Sequence, residues 1–258
     1  MQVFRSGIRG MAQVGLALAV MTLLIATSDS SSRSEPLSSA GRPALGAPSP
    51  QAEEAAASRR IEALFAGIPQ HGRALGKPDA PVTMHFFADL ECLEARQFTL
   101  GALPFLIRRW VRDGKLRIVY HGFPAETVWP DIFRRQQAAA LAAGAQGKLW
   151  QYIDFFYHRQ GPEFTRYAIA HFLEAMAEDV RGLDLRKWVT AWHHKGLAQK
   201  VRADVRLGRE YGLRPLRPFT PAFFVGPTGG PGRPLLNFSL TESAAFDEAI
   251  EDVLRGRA

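Results

Sequence analysis

The sequence has only one cysteine, Cys92, among its 258 residues. A single cysteine excludes an internal disulfide framework, a zinc site built from four cysteines and an iron–sulfur cluster held by cysteines. Blocks of like charge are also absent, because the 32 Lys and Arg and the 25 Asp and Glu that give a net charge of +7 are scattered along the chain. This pattern is typical of a solvated basic surface, and no nucleic-acid partner is predicted.

Long apolar runs are lacking except near the beginning of the chain. Arg5 and Arg9 precede an uncharged stretch at residues 10–28 whose centre is apolar. A positive segment followed by a short apolar one predicts a signal peptide or membrane anchor over residues 1–28. Residues 29–58 are rich in Ser, Pro, Ala and Gly, and we expect a disordered linker there. Both features predict an extracytoplasmic protein, either secreted or attached to the membrane by its N-terminal segment.

A folded domain is predicted over residues 60–258. The run VTMHFF at 82–87 indicates a buried strand, and LRIVY at 116–120 indicates a second one. A helical pattern begins at Cys92 between them, and Pro104 should bend that helix. Two strands joined by a helix within about 40 residues favour parallel pairing through a right-handed crossover.

The next part of the chain changes character. Apolar residues recur at helical spacing over about 131–211, which predicts four or five helices. Strands return at 222–225 and 235–238, separated by a turn rich in Gly and Pro, and Thr241 precedes a final helix. The predicted order is strand, helix, strand, helical block, strand, strand and helix, which is an α/β arrangement.

Short segments in this order carry a resemblance to a known family. They are GKPDAPV at 76–82, FADLEC at 87–92, QGKLW at 146–150 and TPAFFV at 220–225. Together they resemble the DsbA-like branch of the thioredoxin superfamily. The resemblance implies an α/β, thioredoxin-like fold with an all-helical insertion at about 131–211.

The resemblance also implies a site. A cysteine at the start of a helix faces unpaired backbone N–H groups, which favour the thiolate that attacks disulfides. In the family, the proline that corresponds to Pro221 is cis and lies beside the cysteine, and the residue before it pairs with the substrate backbone. Cys92 is therefore the implied catalytic residue, and Thr220 and Pro221 are the implied substrate-binding residues. No metal and no organic cofactor is implied.

The sequence departs from the family at two positions that matter for redox chemistry. The usual Cys-x-x-Cys motif ends here in Ala95, so Cys92 has no partner for an intramolecular disulfide. Phe86 stands where many relatives have a buried acid. Glu91 and Glu94 beside the cysteine oppose the helix terminus, so a strongly acidic thiol is not predicted.

Three functions remain open at this stage. The first is a thiol–disulfide oxidoreductase-like protein that acts through Cys92 alone, by mixed-disulfide exchange or isomerisation on exported proteins. Its partners would be cysteine-containing or unfolded exported proteins and a low-molecular-weight thiol. The second is a redox-inactive thioredoxin-fold module that binds peptides, and the third is an envelope-assembly partner that uses the basic surface. The family pattern predicts that Cys92 and Pro221 are neighbours at an open surface.

Overall fold

The computed structural model describes residues 49–216 and 220–257. The predicted signal peptide or anchor at 1–28 lies outside the described residues, as does most of the predicted linker. A helix, α1 (Pro50–Phe65), covers the last part of that linker, so its predicted boundary at residue 58 needs correction. Ala and Glu in this stretch favour a helix, and Ser49 Oγ caps it by accepting a hydrogen bond from the Ala52 N–H at 3.2 Å.

One six-stranded sheet forms the centre of the domain. Its strands are β1 (Gln70–His71), β2 (Ala74–Leu75), β3 (Val82–Ala88), β4 (Leu116–Gly122), β5 (Ala222–Pro227) and β6 (Arg233–Pro234). Their order is β1-β2-β4-β3-β5-β6. β3 and β4 pair in parallel, which confirms the predicted parallel pairing, and β5 runs antiparallel to β3. The strand predicted at 235–238 is wrong, since β6 ends at Pro234 and Asn237 has a φ of 54°, which interrupts extended pairing.

Helices precede β1, connect β3 to β4, fill the long interval between β4 and β5 and follow β6. They are α2 (Leu93–Leu100), α3 (Ala102–Leu106), a π-helical segment (Ile107–Val111), α4 (Pro130–Gly144), α5 (Leu149–His158), α6 (Ala170–Asp179), α7 (Leu185–Trp192), α8 (Lys195–Glu210) and α9 (Ala244–Leu254). The five helices α4 to α8 form the predicted insertion. No helix of the described residues has both the length and the apolar character needed to cross a membrane.

The helix that follows Cys92 breaks at Gly101 rather than bending at Pro104. The Ala102 N–H donates to the Leu240 carbonyl at 3.0 Å, and a Cβ at Gly101 would lie 2.8 Å from that same carbonyl oxygen. Only glycine permits this approach of the two segments. Pro104 lies in the first turn of α3, where a missing N–H removes no helical hydrogen bond.

An aromatic layer supports the end of β3 that leads to Cys92. The ring of Phe86 packs 4.9 Å from that of Phe98 on α2 and 5.3 Å from that of Phe223 on β5, measured between ring centroids. All three side chains are buried. Phe86 is thus part of the apolar core, and the acidic groups near Cys92 come from other positions.

Candidate functional site

Cys92 lies in the tight turn between β3 and α2. It is the N-cap residue of α2 with an extended backbone, and its N–H donates to the Asp89 carbonyl at 3.2 Å. The amide of Gln160, just after α5, donates to the carbonyls of Leu90 and Cys92 at 2.9 and 3.2 Å. The helical insertion therefore fixes the backbone that presents the cysteine.

The structure brings Cys92 together with Thr220 and Pro221. The peptide bond between Thr220 and Pro221 is cis. The Cys92 Sγ lies 3.5 Å from the Thr220 carbonyl oxygen and 3.9 Å from its Oγ1. The expectation of an open surface is wrong, because Cys92 is buried with 0% exposure. Thr220 and Glu94 are the residues whose polar atoms contact its sulfur.

The environment of Cys92 keeps it a thiol. Burial raises the pKa of Cys92 to about 12, because a thiolate is poorly solvated there. Glu94 adds to this rise in pKa, since its Oε2 accepts a hydrogen bond from Sγ at 3.2 Å and its charge repels a thiolate. The backbone N–H of Ala95 opposes the rise but does not cancel it. The raised pKa agrees with the expectation from the sequence that the Cys92 thiol is not strongly acidic.

A second carboxylate occupies the beginning of α2. The Leu93 N–H donates to Glu163 Oε1 at 3.0 Å. Free N–H groups in the first turn are what normally stabilise an anion at a helix start. Glu163 takes up one of these groups and places its own negative charge there, so the helix offers less support to a thiolate.

Asp89 organises the loop beside the cysteine. Its buried carboxylate accepts six hydrogen bonds, four from backbone N–H groups and two from side chains. The donors are the N–H groups of Ala125, Glu126, Thr127 and Glu91, Thr127 Oγ1 and Gln136 Nε2, at 2.6 to 3.3 Å. These donors compensate the burial of the charge, so Asp89 joins the cysteine turn to the loop that follows β4.

Glu91 is a buried acid without such compensation. It is 0% exposed, and neither of its carboxylate oxygens makes a hydrogen bond among the described residues. Burial and the nearby charge of Asp89 raise the pKa of Glu91 to about 8. Glu91 is consequently protonated at neutral pH and adds little charge to the site.

Sequence reasoning identified Glu91 and Glu94 but missed the acids that come from distant segments. Glu163 bonds to an N–H that is 70 residues away in the chain. Glu126 lies in the loop after β4 whose N–H groups donate to Asp89. Its pKa is raised by burial and by the charges of Glu163 and Glu94. No local pattern marks either residue, because only the fold brings them close to Glu94 and the beginning of α2.

A mostly apolar groove begins at the cis-proline loop. Its cavity of about 540 Å³ extends from Glu94, Thr220 and Pro221 to Leu236 and Leu240. Leu236 is 70% exposed. An apolar groove with a backbone edge beside it suits an extended polypeptide. Within the described residues, no group of three or more His, Cys, Asp or Glu side chains is arranged to hold a metal ion.

Comparison with known families agrees with this geometry. Residues 69–228 match the family described as Thioredoxin. The chain belongs to the thioredoxin family. Within that superfamily its fold is DsbA-like, because a helical insertion interrupts the thioredoxin core between β4 and β5.

Individual relatives are similar at low identity. The chain is 26% identical over 133 residues to a probable disulfide bond formation protein D of Bacillus anthracis, covering 51% of this chain and 61% of that one. The oxidised BdbD structure from Bacillus subtilis matches with a TM-score of 0.60 and 18% identity over 74% of this chain and 97% of that one. The α-DsbA1 structure from Wolbachia pipientis matches with a TM-score of 0.57 and 16% identity over 76% and 96%.

We predict that Glu94→Gln makes the Cys92 thiol more reactive. The change removes a negative charge and an acceptor that favour the protonated thiol, so the pKa of Cys92 should fall. A fall of one pKa unit corresponds to about tenfold more thiolate at neutral pH. The rate of alkylation by iodoacetamide at pH 7.5 measures it, and Glu174→Gln on α6 is the matched control. An unchanged alkylation rate in Glu94→Gln would contradict this account of the site.

Proposed function

We propose that this thioredoxin-family protein performs thiol–disulfide exchange through Cys92 alone. The proposal depends on one observation, the 3.5 Å separation between Cys92 Sγ and the carbonyl of Thr220, the residue before the cis proline. At that distance, a polypeptide whose backbone pairs with Thr220 has its sulfur next to Cys92. The similarity to proteins named for disulfide bond formation supports the same chemistry.

The chemistry available to one cysteine is exchange rather than net oxidation. Cys92 loses its proton, and its sulfur attacks one sulfur of a substrate disulfide. The Cys92–substrate bond forms, the substrate S–S bond breaks, and the other sulfur leaves as a thiolate that takes up a proton. A substrate thiol or a low-molecular-weight thiol then attacks the mixed disulfide and releases Cys92. No external oxidant is consumed, so the proposed outcome is isomerisation or removal of thiol adducts.

The proposed substrates are cysteine-containing or unfolded exported polypeptides. The groove beside Pro221 supplies an apolar surface for them, and Thr220 supplies the pairing with their backbone. We propose an extracytoplasmic location in a bacterial periplasm or envelope, with residues 1–28 as the signal peptide or membrane anchor.

A second candidate function is a peptide-binding module without redox turnover. The specific observation in its favour is the buried thiol with its pKa raised to about 12, which leaves little thiolate at neutral pH. In this case the groove and the cis-proline loop would hold an extended segment, and Cys92 would serve as a small buried side chain.

One experiment separates the two candidates. The reduced protein is mixed with an extended peptide whose single cysteine is blocked as a disulfide with a small thiol. Exchange predicts a covalent protein–peptide adduct by intact mass, which dithiothreitol releases and the variant Cys92→Ser does not form. A peptide with serine in place of cysteine, followed by fluorescence anisotropy, reports binding without exchange. Binding with no adduct would favour the second candidate and reject the first.

A further inference from the structure

We infer that the Cys92 site selects disulfide partners that carry positive charge next to the reacting sulfur, and that Glu94 and Glu163 determine this selection. The inference deepens the proposed function and depends on the same groove. The chain as a whole has a net charge of +7, so its overall charge would favour the opposite, anionic partners. The selection must therefore come from the local arrangement of carboxylates.

Two carboxylates lie close to the thiol and to the beginning of α2 that follows it. Glu94 Oε2 is 3.2 Å from Cys92 Sγ, and Glu163 Oε1 is 3.0 Å from the N–H of Leu93, the next residue. Glu94 is exposed and Glu163 is partly exposed, so both can be reached by an incoming substrate. Neither makes an ion pair with a cation of residues 49–216 or 220–257.

A third carboxylate lies within the field of the first two. The pKa of Glu126 is raised by burial and by the charges of Glu163 and Glu94, so these acids lie close enough to repel one another. Glu91, which precedes Cys92 in the sequence, is fully buried and protonated at neutral pH, so it does not contribute to this charge. The negative charges of Glu94, Glu163 and Glu126 make this a favourable place for a cationic group.

The surroundings define the rest of the partner. Leu93 and Phe164, which are neighbours in sequence of Cys92 and Glu163, are exposed large apolar side chains. The groove beyond Pro221 is apolar as well. The partner is thus an extended polypeptide segment in which Lys or Arg and apolar residues adjoin the cysteine.

The charge of such a partner would also activate the thiol. A cation that pairs with Glu94 neutralises its charge and competes with Sγ for the carboxylate oxygen. Both changes lower the pKa of Cys92. A cation that pairs with Glu163 weakens its hold on the Leu93 N–H and lowers the negative potential at the helix start. An anionic partner gains neither effect and is repelled by all three carboxylates. Substrate charge then affects both binding and the fraction of thiolate.

Small disulfides of different charge test the inference. The reduced protein reacts with cystamine, hydroxyethyl disulfide or dithiodipropionate, which carry two positive charges, no charge and two negative charges. Each rate is divided by the rate of mercaptoethanol with the same reagent, which removes the intrinsic reactivity of the disulfide. We expect the normalised rate for cystamine to exceed that for dithiodipropionate by at least about tenfold at low salt, and the ratio to shrink at about 1 M salt.

Variants assign the effect to the two acids. In Glu94→Gln/Glu163→Gln we expect the cystamine to dithiodipropionate ratio to fall to within about twofold of unity, although both absolute rates rise. The ratio is the informative quantity, because the rise in thiolate fraction that the substitutions cause in the free protein alters all three rates equally. Glu174→Gln changes the net charge by the same amount per site at a distant surface and should leave the ratio as it is. A normalised ratio near unity in the unmodified protein would overturn the inference.

A noncovalent measurement keeps this inference separate from the proposed function. Anisotropy compares two serine-containing peptides of equal length, one with Lys and one with Glu on both sides of the serine. Preference for the Lys peptide, lost in the double variant, supports the inference even if no disulfide reacts and the exchange function fails. Mixed disulfides that form with no charge preference, together with equal binding of both peptides, reject the inference and leave exchange in place.

Discussion

Replacing Asp89 by asparagine should lower the free energy of unfolding by about 3 to 5 kcal/mol. The carboxylate accepts six hydrogen bonds, four of them from backbone N–H groups, and it has no solvent exposure. An asparagine has a single acceptor oxygen, and its amide nitrogen would point N–H groups at other N–H groups. Buried donors would then lose their partners, which is more costly than the loss of an exposed hydrogen bond.

Urea unfolding at pH 7 measures the change, with Asp79→Asn in an exposed turn as the matched control. We expect the control to alter stability by less than about 0.5 kcal/mol. Because Asp89 holds the loop that carries Glu126, the Asp89→Asn variant should also show faster hydrogen exchange at the N–H groups of Ala125 and Thr127. A loss below about 1 kcal/mol would mean that the loop is held by other contacts.

The fold was largely predictable because its main elements have distinct local patterns. Continuous apolar runs mark β3 and β4, and helical periodicity marks the insertion between β4 and β5. The elements that were missed are those with little local signal. β1 and β2 are two residues each, and β6 is a two-residue strand whose position depends on where it meets β5.

The site was predictable only in part, for a similar reason. Cys92 and Pro221 stand in recognisable motifs, and the structure brings their segments together. The pKa of Cys92 depends chiefly on burial, which the sequence does not reveal, and secondarily on Glu94. A helix terminus contributes about 0.3 to 1 kcal/mol and one pKa unit corresponds to 1.36 kcal/mol, so burial together with Glu94 outweighs it. The protonated thiol therefore follows from tertiary contacts.

Glu91 provides the second large effect, which depends on pH. In the folded protein the pKa of Glu91 is raised from 4.5 to about 8, chiefly by burial, so Glu91 keeps its proton there while the unfolded chain has released it. The unfolded state binds fewer protons between these pH values, so stability decreases as the pH rises through this window. Glutamine has a similar shape and does not ionise. We therefore expect Glu91→Gln to remove this part of the pH dependence.

The stability of Glu91→Gln relative to the unmodified protein should increase by about 2 to 4 kcal/mol between pH 5 and pH 8, with allowance for screening by water near the site. Urea unfolding of both proteins at pH 5, 6.5 and 8 gives the difference in free energy at each pH. Using the difference cancels the titration of every other group, and any fixed cost of the glutamine is the same at all three values. Parallel curves for the two proteins would show that Glu91 ionises in the fold as easily as in water. With Glu174→Gln as the control, a curve parallel to that of the unmodified protein is expected, because this side chain is exposed on α6.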